Sequence, residues 1–306
     1  MIDRKAVELV RNLLKILQAI NDFENEFVLK GGTAINLFYS DMPRLSVDID
    51  LTYNRINSRK ETMNAFKTFF EKLDSRLKKN HHYQMNVSVT EEGFVNKGII
   101  TTPAGFIKIE PNVVIRGTLN NVQKRILSKE AFENLGIEVE AMCLEEKEVY
   151  AGKACAGLDR QHPRDLYDIH DYFKRKEKLD SYFEILFYLL QSDRPVSEMF
   201  DPNMKDISGQ YESQLNNLML RPLSLNDLKE ARKKLVSLVQ RDVFIHYYEF
   251  IISFVEGEPN YRLLEKNISE YPGIKWKQLN IRKMDERKRQ IEIKKLMNLK
   301  DKLKDI

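Results

Sequence analysis

After Glu145 the sequence loses the period-two alternation of strands, and its apolar residues recur at helical spacing to the C-terminus. Helices are expected at roughly 145–159, 163–175, 180–192, 224–240 and 243–256, followed by a basic tail. Before that point strand and helix signals mix. A mixed-sheet lobe can therefore form only from the first half, and the second half must build its core from helix on helix. The prediction is an α+β chain, with one lobe over residues 1–147 and a mostly helical lobe over 148–306 ending in a basic helix. At 306 residues, both cores can be buried without disulfides or structural metal.

Within the first half, Val7, Val10, Leu14, Leu17 and Ile20 mark an amphipathic opening helix. Phe27, Val28 and Leu29 read as a short strand that stops at Gly31-Gly32. Thr33 through Phe38 reads as a second helix, broken by Asp41-Met42-Pro43. From Leu45 to Tyr53 the chain alternates, with Val47, Ile49 and Leu51 on one face and Ser46, Asp48, Asp50 and Thr52 on the other. Ser58-Arg59-Lys60-Glu61 has the form of a capping box, ahead of an apolar stripe of Met63, Phe66, Phe70, Leu73 and Leu77. Strands are expected between Tyr83 and Arg116, punctuated by Gly93, Gly98, Pro103 and Gly105. There Phe106-Ile107-Lys108-Ile109-Glu110 alternates, placing Lys108 and Glu110 on one face. Ile137 to Leu144 is a further candidate strand.

Composition excludes several classes. Two cysteines, Cys143 and Cys155, are too few for a disulfide framework or a Cys-rich zinc site, and Cys155 is expected to be a small buried residue. His81, His82, His162, His170 and His246 lack metal-ligand spacing and read as core or surface residues. Tyr182, Phe183, Phe187 and Tyr188 sit at helical spacing and read as core. No apolar run approaches the roughly 20 residues of a membrane span. The start, MIDRKAVELVRNLLKIL, is interrupted by charges and lacks a signal-peptide layout, so a cytoplasmic, reduced protein is expected. A net charge of +4 is too mild to imply nucleic-acid binding. From Ile281 to Ile306, however, ten Lys and Arg face five acids. That tail can attract a polyanion or form a solvated helix face.

The chemistry concentrates in Leu29-Lys30-Gly31-Gly32-Thr33-Ala34 and Asp48-Ile49-Asp50. Side chains two apart on a strand point the same way, so Asp48 and Asp50 stand side by side. Two like charges about 4 Å apart repel by roughly 1 kcal/mol in water and about 4 kcal/mol near a protein surface. A shared divalent cation offsets this, and hard oxygen donors suit Mg²⁺ or Mn²⁺; the other reading is a merely solvated strand face. The glycine pair lies between a strand and a helix start, where close backbone approach and unpaired N–H groups can accept phosphate. A ligand-free tight turn has the same form. Neither a P-loop nor a Gly-x-Gly-x-x-Gly fingerprint occurs.

A glycine turn followed by paired carboxylates resembles the first motif of the DNA polymerase β superfamily of nucleotidyltransferases. The string Gly31-Gly32-Thr33-Ala34 … Arg44-x-Ser46-x-Asp48-Ile49-Asp50-Leu51 resembles, more narrowly, the AbiEii/AbiGii toxins of abortive-infection and type IV toxin–antitoxin systems. Three further motifs match in order: Lys108-Ile109-Glu110, then Lys153, Ala156 and Arg164, then Asp165 and Asp168 in Arg164-Asp165-Leu166-Tyr167-Asp168. Together they span residues 29–169. Glu110 departs from the family's usual Asp, and Gly32 from the superfamily's Ser, leaving Thr33 to offer a hydroxyl. Tyr271-Pro272-Gly273-Ile274-Lys275-Trp276 also resembles the family, with no chemical role attached.

The resemblance implies a polymerase β-like fold and transfer of a nucleotide from an NTP, with Mg²⁺ or Mn²⁺ held by Asp48, Asp50 and Glu110. It implies catalytic parts for those three acids and for Lys153 and Asp168. It places Gly31, Gly32, Thr33, Arg44, Ser46, Lys108, Arg164 and Asp165 around the nucleotide. An acidic first helical turn pairing with Arg164 is the other reading of Asp165 and Asp168. The implied partners are an RNA acceptor, tRNA at its 3′ end, and a cognate antitoxin, with no membrane. Two other functions fit the residues: transfer to a small hydroxylated acceptor of antibiotic type, and nucleotide binding without turnover. All expectations meet in one divalent-ion pocket between the lobes.

Overall fold

The computed structural model describes residues 4–176 and 180–304; the first three residues of the opening segment and residues 305–306 of the basic tail lie outside the described residues. The chain forms two compact units, one of Met1–Val149 with Asn216–Pro222, the other of Tyr150–Leu215 with Leu223–Ile306.

The first unit runs α1 (Arg4–Asn21), β1 (Phe27–Lys30), α2 (Gly31–Ala34), β2 (Asp48–Tyr53), α3 (Arg59–His81), β3 (Gln84–Val89), β4 (Val95–Thr102), β5 (Gly105–Asn112), β6 (Gln123–Ile126), α4 (Lys129–Leu135) and β7 (Glu140–Cys143). The strands form one mixed sheet in the order β3-β4-β5-β2-β1-β7-β6. The β2–β5 and β1–β7 pairs are parallel, and the other neighbours are antiparallel. Ile49, Ile107 and Ile109 are fully buried, as their alternation predicts. Helix α3 packs on their face: a Cβ added at Gly98 would press on Phe70 and on Ile109. Phe27, at the start of β1, meets Phe69, Phe66 and Tyr53 at ring separations of 4.1, 5.0 and 5.2 Å, which ties β1 and β2 to α3. The expected capping box starts α3, with Glu61 N–H donating to Ser58 Oγ at 3.3 Å and Ser58 N–H to Glu61 Oε2 at 3.0 Å.

Three features depart from expectation. The helix after the glycines becomes a single π-turn at Ile35–Tyr39, closed by Ser40 N–H donating to Ile35 O at 2.8 Å. The strand expected from Leu45 begins only at Asp48, because the preceding residues pair elsewhere: Leu45 N–H donates to Leu218 O at 2.8 Å and Arg44 bridges Met219. That pairing is why Asn216–Pro222 belongs to the first unit. Strand β6 and helix α4 were not expected, because Gln123-Lys124-Arg125-Ile126 has no apolar alternation.

The chain enters the second unit through α5 (Glu146–Asp159) and continues as α6 (Pro163–Arg175), α7 (Tyr182–Leu189), α8 (Val196–Phe200), α9 (Ser208–Gln214), α10 (Leu225–Leu238), α11 (Tyr248–Glu256), α12 (Pro272–Lys283) and α13 (Glu286–Lys304). No strand occurs among its described residues. Phe183, Phe187 and Tyr188 lie in its core, whereas Cys155 is only half-buried and its thiol lies 3.5 Å from Tyr188 O. The Tyr271–Trp276 segment is a packing element. Pro272 opens α12, the Tyr271 ring meets Phe187 edge-on at 4.7 Å, and a Cβ at Gly273 would overlap Gln191. Next to it Lys277 is buried, its ammonium donating to Ser192 O at 2.7 Å and to Arg194 O, and burial pulls its pKa down to about 8. In the basic tail Lys295 pairs with Glu292 and Lys304 with Asp301, three residues apart on α13. Among the described residues no helix is long and apolar enough to cross a membrane.

Candidate active site

The site of the first unit is built on a backbone turn. Gly31 adopts φ +68°, a left-handed conformation that L side chains rarely take. A Cβ there would overlap the Asp50 carboxylate, so turn and carboxylate are packed in direct contact. Behind Gly32 lies a buried polar network. A Cβ at Gly32 would stand 2.7 Å from Arg44 Nη2 and 3.0 Å from Ser46 Oγ. Arg44, Ser46 and Thr33 are all buried. Arg44 Nη1 donates to Leu45 O at 2.9 Å. The Thr33 hydroxyl donates to Asp48 O at 2.5 Å and lies 2.9 Å from Ser46 Oγ. Thr33 has one proton to give, so Ser46 must donate to it. Thr33, Arg44 and Ser46, expected around the nucleotide, stand directly behind the glycine turn. They lie inside, where their polar atoms fix the turn to the first residue of β2.

Asp48 and Asp50 project from one face of β2, opposite the buried face of Ile49 and Leu51. Across the parallel pair, Asp48 stands beside Lys108 and Asp50 beside Glu110; across the antiparallel pair, Asp50 stands beside Lys30. From β4, Lys97 Nζ reaches Glu110 Oε1 at 3.2 Å. Four adjacent strands thus carry a row of Lys30, Asp50, Glu110 and Lys97, two carboxylates bracketed by two ammoniums. Sequence reasoning brought Asp48, Asp50, Lys108 and Glu110 to one face but missed Lys97. Only the strand register, which no local pattern encodes, puts that lysine beside the acid.

Among the described residues no three His, Cys, Asp or Glu side chains form a ready cage for a metal ion. The donors still suit a hard divalent ion. Asp48 and Asp50 offer oxygens from one strand face beside a turn open to close approach, and Mg²⁺ characteristically takes one or two carboxylates and completes its shell with phosphates and water. Glu110, the third acid, pairs with Lys97 across the β4–β5 register.

The other predicted residues lie in the second unit and form a different kind of cluster. Lys153 on α5 is buried, its Nζ 2.9 Å from Asp165 Oδ1 and 3.1 Å from Asp168 Oδ2 on α6. Arg160 closes the pair, with Nε 2.5 Å from Asp165 Oδ2 and Nη2 3.0 Å from Oδ1. Burial alone would raise the Asp165 carboxyl, but the Lys153 and Arg160 charges hold it well below the usual carboxylate range. The acidic turn is therefore clamped by Lys153 and Arg160, a partner that the motif reading did not include. Pro163 occupies the first turn of α6, as expected, and His162 caps it by accepting from Arg164 N–H at 3.1 Å. Lys153, expected to take part in catalysis, thus pairs in the core with Asp165 and Asp168.

No curated protein matches this sequence. Among solved structures, the fold is similar to that of MenT4, the nucleotidyltransferase toxin Rv2826c from Mycobacterium tuberculosis H37Rv. The TM-score is 0.57 at 15% identity, covering 96% of this chain and 93% of that chain. At that identity the likeness is one of fold. The family model described as "Nucleotidyl transferase AbiEii toxin, Type IV TA system" matches residues 15–275, most of the chain. The chain belongs to the AbiEii family of nucleotidyltransferase toxins of type IV toxin–antitoxin systems.

Proposed function

We propose that this protein transfers a nucleotide from an NTP to the 3′ end of an RNA, with tRNA as the acceptor, and that it acts in the cytoplasm under control of a cognate antitoxin. The observation that carries the reading is the packing of the Asp50 carboxylate against Gly31, with Asp48 on the same strand face. A backbone turn that admits phosphate and two oxygen donors for a divalent ion are what transfer at an α-phosphate requires. Mg²⁺ or Mn²⁺, when bound, would neutralise charge on the phosphates, with Asp48 and Asp50 supplying the protein oxygens.

The chain's own residues then have distinct parts. Gly31 and Gly32 let the triphosphate approach the backbone. Thr33, Ser46 and Arg44 keep that turn fixed to β2, so that Asp48 and Asp50 need no rearrangement on binding. Lys108, beside Asp48, offers positive charge to a phosphate. Glu110 is the group best placed to take the proton of the attacking hydroxyl, and this requires Lys97 to release it. Lys153, Arg160, Asp165 and Asp168 hold α5 to α6.

The test is incubation of the purified full chain with Mg²⁺, total tRNA and each of the four NTPs labelled at the α-phosphate. Label should enter tRNA with the wild type and be absent with Asp48→Ala. Equal labelling by both proteins, or label found only in small products, would contradict the proposal.

A further inference from the structure

The sheet face that carries Asp48 and Asp50 continues past the acids onto β5, β4 and β3. The register places Lys108 beside Ile99, and Ile99 beside Asn86; one step further, Phe106 lies beside Thr101, and Thr101 beside Gln84. All share the face of Glu110 and Lys97, since each is an even number of residues away along its strand. The opposite face is closed by α1 and α3, with Ile100, Ile107 and Ile109 buried there. The acidic side is open: Gln84, Asn86, Thr101 and Lys108 are exposed.

Phe106 breaks the pattern. An antiparallel sheet with one solvated face carries polar residues on it, yet Phe106 stands there 68% exposed. Ile99, its diagonal neighbour across the β4–β5 pair, is only partly covered. A ring left in water on the open face, next to the β4–β5 turn, contributes little to the core. Phe106 lies four residues from Glu110, about 13 Å along the strand, and Lys108 lies between them on the same face.

We propose that this face seats the single-stranded 3′ end of the RNA acceptor, with a base stacked on the Phe106 ring and the adjoining phosphate near Lys108. The inference rests on the reading of the chain as an RNA-directed transferase. Two observations favour RNA over a protein occupant. The patch is one exposed ring beside a half-covered Ile99, with polar Gln84, Asn86 and Thr101 around it and a cation toward the acids. It is also continuous with the carboxylates at which the terminal hydroxyl must arrive. Any base offers a π-face, so a lone aromatic platform beside a cation tolerates different sequences.

The test compares wild type, Phe106→Ala and Phe106→Tyr as full chains. All three should fold alike, since the ring is outside the core. Phe106→Ala is expected to raise the acceptor KM about 10-fold, with the NTP KM unchanged, and Phe106→Tyr to restore it. An acceptor KM within twofold of wild type, or a rise confined to the NTP KM, would overturn the proposal; the latter would place the donor base on the ring. A second readout is quenching of 2-aminopurine in a short single-stranded RNA, which needs no turnover. Quenching by wild type and its loss in Phe106→Ala support the platform, and equal quenching or none refutes it. Absence of RNA labelling by the wild type would defeat the transferase reading, while the quenching arm still decides the platform.

Discussion

The two units treat their paired carboxylates in opposite ways. On β2, Asp48 and Asp50 share a half-buried strand face, bordered by lysines on neighbouring strands, with a glycine turn packed against them. On α6, Asp165 and Asp168 are sealed in the core, with Lys153 between them and Arg160 closing over the first. The first pair lies half-buried on an open strand face; the second pairs with the protein's own cations in the core. The resemblance counts both pairs as site residues, and the two pairs differ in burial. Drawing either buried carboxylate away would leave Lys153 short of a partner in the core.

Substitutions can sharpen this contrast. The largest effect is expected at β2: Asp50→Asn should lower nucleotide transfer about 10³-fold, several kcal/mol of transition-state stabilisation, while the melting temperature stays within a degree or two. Lys153→Met should do the reverse. It leaves two buried carboxylates short of a cation and should cost about 3–5 kcal/mol in urea unfolding. Were Lys153→Met to melt like wild type while losing activity, the two clusters would not differ in kind. Gly31→Ala stands between them. A Cβ at positive φ, meeting the Asp50 carboxylate, should cost about 1–3 kcal/mol and lower activity together with stability.

Acid titration separates the clusters again. The folded-state pKa of Asp165 lies below its ordinary 3.8. Its contribution to stability is therefore complete above that value and is lost as pH falls through the folded one. The urea midpoint should hold on this account between pH 5 and pH 7 and drop below about pH 4, with a shallower drop in Asp165→Asn. The smallest effect is expected for Lys97→Ala. Its pair with Glu110 is partly solvated, so stability should change by less than about 1 kcal/mol.

Much of this was legible in the sequence, for identifiable reasons. The alternation of Ile49 and Leu51 with Asp48 and Asp50 carried the orientation of the two acids, because a period of two fixes which side chains share a face, whereas ahead of Asp48 it failed, with Ser46 buried and Val47 half-exposed. The capping box at Ser58 and Pro163 at the start of α6 are local signals, and the structure has both. What stayed hidden depends on pairing at a distance. Lys97 meets Glu110 only through the β4–β5 register. The π-turn at Ile35–Tyr39 and the late start of β2 reflect tertiary pairing, the latter with Leu218 and Met219. The burial of Asp165 was equally hidden, since an acidic first turn reads the same whether it faces water or a lysine.

The most direct measurement is a Mn²⁺ titration of the full chain followed by electron paramagnetic resonance, comparing wild type with the double variant Asp48→Asn, Asp50→Asn. Saturable binding by wild type, weakened at least ~10-fold in a variant of unchanged melting temperature, is the predicted result, since losing even an outer-shell partner of a metal site costs that much. Equal Mn²⁺ affinity in the two proteins would contradict the assignment of these strand carboxylates as the ion-binding pair.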